Sequence, residues 1–169
     1  DPGYALAYLN RGTLRLLTFR SAESNRRARE DFEEARGLAG DSGDWEGDTG
    51  AVEDARVAGL AAMGIARTFS QDRHRYGNRD PDRVDEGRKA AARAVTLLNR
   101  SPEALYALAF AWHCTETLED IEEGSRYYRE IARSQRGRHP AVHNNLGYIL
   151  MKGGEILAQR GDEKRARKW

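Results

Sequence analysis

The chain has 169 residues, 33% charged and 39% apolar, enough for one domain or one short helical array. Twenty-eight basic and 27 acidic residues leave a net charge of +1, so nothing global pulls the chain towards nucleic acid or a membrane surface. A single cysteine, Cys114, excludes an intrachain disulfide framework.

No signal peptide and no bilayer-length apolar run is present, and the cytoplasm is the expected location. Arginine outnumbers lysine 24 to 4. Because the arginines are scattered among acids, this bias reads as a GC-rich bacterial genome rather than a phosphate-binding surface. The chain opens on Asp1-Pro2 and stops at Trp169 inside a charged helical pattern, and is expected to be a piece of a longer protein.

Apolar spacing predicts helices throughout. The first covers residues 2–18, with Tyr4, Tyr8, Leu9, Leu14, Leu16 and Leu17. The second covers 24–38, with Ala28, Phe32 and Ala35 on one stripe. A third covers 52–72 and a fourth 82–98, preceded by the turn Asn78-Arg79-Asp80-Pro81. Pro102 and Pro140 begin the fifth (102–117) and seventh (140–159) helices, since proline in a first turn sacrifices no hydrogen bond. The sixth covers 118–135, and an eighth begins after Gly161-Asp162. Alternating β-branched runs are absent, which argues against strands. Residues 40–50 and 71–82 lack apolar periodicity and are expected to be surface loops.

Chemical motifs are sparse. His139 and His143 are four apart, but His139 precedes Pro140 and no third ligand follows, so no metal site is expected. His113-Cys114 with Glu116 holds a nucleophile and a base, but sequence neighbours on a helix point about 100° apart. Asp41, Asp44, Glu46 and Asp48 resemble a calcium loop in charge alone. Counting from Asp44, Thr49 and Ala55 occupy the sixth and twelfth places, where glycine and glutamate are required. The basic end, Lys164 to Lys168, reads as a solvated face. The expectation is therefore no enzyme, no cofactor and no metal.

A degenerate motif recurs four times: a small residue a few positions after a large one. It appears as Tyr8-Leu9-Asn10-Arg11-Gly12, Leu60-Ala61-Ala62-Met63-Gly64, Leu105-Tyr106-Ala107-Leu108-Ala109 and His143-Asn144-Asn145-Leu146-Gly147. The small residues are 52, 45 and 38 apart, a scale that signals stacked helical repeats. With Ala28, Asp31-Phe32 and Ala35 as a second-helix signature, the chain resembles the tetratricopeptide repeat (TPR) family of helix pairs about 34 residues long. Gly161-Asp162 with Ala166 is similar at the other end, and Gly124, Tyr128 and Ile131 are the nearest match between. The pairs depart from the family in insertions near 19–24 and 71–82 and in a lengthened last pair.

The resemblance implies an all-α, right-handed α-α superhelix of about four antiparallel pairs. It forms a single array over 1–169, with approximate repeats 1–40, 51–100, 101–138 and 139–169, the last truncated. It implies close packing of helices at the small residues and a concave groove lined by first helices. Projected onto this sequence, the groove holds Leu9, Thr13 and Leu16; Ala61, Ile65 and Phe69; Tyr106, Phe110 and His113; and Asn144, Tyr148 and Met151. Lys152 and Arg67 are its nearest basic residues, too few to grip a terminal carboxylate. The implied function is a scaffold that binds a peptide or helix of another protein, or another domain of the same protein. Alternatives are a regulatory domain sensing a small molecule or metal, and an oligomerisation module that self-associates through the uncapped C-terminal end.

Overall fold

A computed structural model describes residues 2–18, 20–40, 49–77, 80–113, 117–134 and 140–168. Among them are eight helices and no strand: α1 (Pro2–Thr18), α2 (Ala22–Ala39), α3 (Thr49–Tyr76), α4 (Pro81–Leu97), α5 (Pro102–His113), α6 (Leu118–Arg133), α7 (Pro140–Gln159) and α8 (Glu163–Ala166). The chain is thus all-α over the described residues. The acidic segment 41–48, Cys114, Glu116 and His139 lie outside the described residues.

Side-chain caps start several of the helices. Ser21 Oγ accepts from the Ser24 amide at 3.1 Å, so α2 begins at Ala22, before the expected position. Asp80 accepts from the Asp82 amide just ahead of α4. Ser101 Oγ caps α5 through the Ala104 amide, and Thr117 Oγ1 caps α6 through the Asp120 amide. Each satisfies an amide that has no partner within its own helix.

The expected loop over 71–82 is largely helix. α3 continues to Tyr76 and stops at Gly77, whose φ is +68°. Tertiary pairing explains the extension. Asp72 is buried against α2, where it meets the guanidinium of Arg29 and accepts from Asn25 Nδ2 at 2.6 Å. Asn25 Nδ2 also donates to the Thr68 carbonyl at 2.8 Å. These bonds hold the turn helical where the local sequence alone reads as a loop.

Every helix packs on the next along the chain, and α1 also touches α3, as α3 touches α5. The core is built of small residues with a few large pegs. Phe32 of α2 is the principal peg. A Cβ added at Gly12 of α1 would stand 2.9 Å from Phe32 Cε1, and one at Gly64 of α3 would stand 2.7 Å from three of its ring carbons. Two glycines thus admit one ring between two helices. Gly124 serves α6 similarly, with Ile149 Cδ1 of α7 at 2.9 Å and the Ala109 carbonyl of α5 at 3.2 Å. At Gly147, expected to be a packing glycine too, nothing lies within 4 Å of the Cβ position.

Ion pairs also tie the helices together. Buried Asp31 accepts from Arg11 and Arg15 of α1, each at 2.7 Å. The bond to Asp31 holds the Arg11 guanidinium above its ordinary pKa. Arg88 of α4 lies 2.8 Å from Asp120 of α6 and stacks over Trp112 at 4.0 Å. Arg100 grips Glu130 with two bonds of 2.7 and 2.8 Å. No described helix is long and apolar enough to cross a membrane.

Candidate functional site

The strongest convergence of expected site residues lies where α5, α6 and α7 meet. Buried Tyr128 of α6 forms the back wall. Asn145 of α7 spans it, its Nδ2 donating to Tyr106 Oη at 2.9 Å and to Tyr128 Oη at 3.2 Å. His113 Nδ1 lies 3.3 Å from the same Tyr128 hydroxyl. The rings interlock around these bonds. Tyr106 stacks on Phe110 at 6.3 Å and meets Tyr128 edge-on at 5.8 Å. His113 meets Phe110 at 5.6 Å and Tyr148 at 5.1 Å. Spacings of this kind stabilise aromatic pairs beyond their buried area.

The front of this cluster is open. Tyr106, Phe110 and His113 are half-buried, while Tyr148 is 46% and Met151 51% exposed. Asn144 is exposed beside them. Lys152 pairs with Glu155 at 2.8 Å and holds its ammonium 5.9 Å from the Tyr148 ring. The result is an apolar platform braced from behind by partly buried hydrogen bonds.

The expected groove residues on the first two pairs lie elsewhere. Leu9, Leu16, Ala61, Ile65 and Phe69 are buried and cannot line an open surface. Phe69 is covered by the Arg29 guanidinium at 3.9 Å and abuts Gly87. Thr13 is exposed, with its hydroxyl bonded to the Leu9 carbonyl of its own helix at 2.8 Å. On α3 the open face carries Arg56, Leu60, Met63 and Arg67 instead. Leu60 lies one residue, or about 100° of helix, from the expected Ala61, and Arg67 lies two residues from both Ile65 and Phe69. On α1 the open face carries Leu6, Asn10, Thr13 and Leu17.

Asn145 is absent from the groove positions expected from the sequence, yet it bridges two tyrosine hydroxyls. The available signal is an asparagine three residues before Tyr148 in a largely apolar helix. Among the described residues, no three His, Cys, Asp or Glu side chains are placed to hold a metal ion.

Comparison with protein-family models, with curated proteins and with solved structures finds no match for this chain. Its reading therefore rests on its own geometry.

Proposed function

We propose that this chain is a protein-interaction module in which the α5–α7 platform receives an apolar segment of a partner. The partner is another protein or another domain of a longer parent chain, and the setting is the cytoplasm. The observation that carries this reading is the exposure of Tyr148 and Met151 above the locked Asn145, Tyr106 and Tyr128 network. Aromatic and methionine side chains supply adaptable contact area, and a braced surface loses little freedom on binding. The same reading treats the stack as a TPR-like right-handed superhelix. Contacts of α1 with α3 and of α3 with α5 are of the kind stacked helix pairs would make, and Phe32 sits between Gly12 and Gly64. The mechanism is binding without covalent chemistry.

The test is selection of peptides from a displayed random library on the wild-type chain, followed by affinity measurement. Tyr148→Ala and Met151→Ala are each expected to weaken the selected peptides by about 1–3 kcal/mol with the melting temperature unchanged. Undiminished affinity in the double variant would remove the platform from consideration. Self-association is a second reading, favoured by the exposed apolar residues of α1.

A further inference from the structure

A cleft of about 680 Å³ lies between the first half of α3, the end of α4 and the start of α5, within the size range of small-ligand sites. It is separate from the α5–α7 platform. Leu60, Met63, Leu97 and Leu98 form its floor, with Val52 also on its lining. Gly59 sets how closely that floor packs. A Cβ there would stand 2.7 Å from Leu98 Cγ and 3.1 Å from Leu97 Cβ, so its absence lets both leucines lie against α3. Asn99 and Arg100, with φ of 45° and 53°, then turn the chain sharply into the α5 wall. Two arginines are on its lining, Arg56 from α3 and Arg93 from α4, against one carboxylate, so the lining carries a net positive charge. Arg56 makes a loose, exposed contact of 3.8 Å with Glu53, which restrains it little.

We propose that this cleft binds a medium-chain aliphatic carboxylate, with the alkyl chain on the leucine and methionine floor and the carboxylate held by Arg56 and Arg93. The lining has no aromatic side chain, so nothing there stacks a planar ring. A peptide would bring backbone N–H and C=O groups that need partners. The uncharged polar side chains on offer are Thr96 and Ser101, whereas a methylene chain asks for none. Planar guanidinium forks match a carboxylate in both charge and geometry. Glu103 is the acidic group on the lining. It occupies the first turn of α5, where the helix amides offset its charge, so the cleft favours an anion.

Calorimetric titration of the chain with octanoate, decanoate and decylamine, all below their micellar concentrations, tests the assignment. Saturable one-to-one binding of decanoate is expected, about fourfold tighter for each methylene added beyond octanoate, with none for decylamine. Arg56→Gln with Arg93→Gln should weaken decanoate at least about tenfold. Thr96→Trp places bulk in the cleft from an exposed position, and should abolish binding while circular dichroism stays unchanged. Equal binding of decylamine, binding that survives Thr96→Trp, or no saturable heat would each overturn the proposal. None of these outcomes touches the peptide-selection result at Tyr148 and Met151.

Discussion

Gly12, Gly64 and Gly147 occupy equivalent places in a repeated sequence motif, yet they meet different surroundings. The first two face Phe32 at under 3 Å from a Cβ position, and the third faces open space. Opposite outcomes follow from one substitution. Gly64→Ala would drive a methyl into a ring that α1 also confines. Overpacking of this kind costs roughly 1–3 kcal/mol, against a helix-propensity gain of about 1 kcal/mol, so a net loss of stability is expected. Gly147→Ala meets nothing and should stabilise by roughly 0.5–1 kcal/mol. Urea unfolding of the two variants checks both signs. A stabilised Gly64→Ala would mean that Phe32 moves aside freely and is not a confined peg.

At the scale of helices, two buried aspartates tie neighbours together, and their surroundings rank them. Asp31 of α2 serves Arg11 and Arg15 of α1, and Arg11 remains 52% exposed. Asp72 of α3 serves Arg29, which is only 10% exposed, and also reaches Arg83 of α4 at 3.4 Å. Asp31→Asn leaves guanidinium groups that water can reach, and about 1–2 kcal/mol should be lost. Asp72→Asn strands Arg29 in the interior, with an expected loss of about 3–5 kcal/mol. Thermal melts of the two variants should therefore differ clearly, Asp72→Asn being the lower.

The same pairs explain how far the sequence could be read. Helix starts were legible because Pro81, Pro102 and Pro140, together with Ser101 and Asp80, punctuate the chain chemically. On α5 the sequence pointed to Tyr106 and Phe110 because these aromatics are interspersed with alanine, and on α7 to Tyr148 as the lone Phe, Tyr or Trp of the helix. The open face of α3 was not, because alanine and apolar residues surround much of that helix and hydrophobicity alone does not say which side is free. Nor could spacing reveal that Arg29, Asp31 and Asp72 are buried, since their burial depends on partners from other helices. α3 ran past its expected end for that reason.

Over the whole molecule, the two ends differ in kind. α1 presents Tyr4, Leu14 and Leu17 to solvent and carries no acidic residue, while its Arg11 and Arg15 are held by Asp31. α8 and the turn after it present Lys164, Arg165, Arg167 and Lys168, with Arg165 paired to Glu122 and Arg167 to Glu163, a charged surface that offers no large apolar side chain among the described residues. For self-association we propose α1 as the contact surface, rather than the C-terminal end that the sequence suggested. Sedimentation at rising concentration should show association of the wild type and its loss in Leu14→Glu/Leu17→Glu. Association that survives this change would return the contact to the other end.

Contacts between helices join near neighbours in the chain, with α1 to α3 and α3 to α5 among the farthest-reaching. Tension applied to the two ends of such a molecule is never shared by a sheet of parallel bonds. It is expected to load one interface at a time, so that pulling on single molecules in an optical trap should release the helices in small successive steps, with the helices pinned by Phe32 yielding at the highest force.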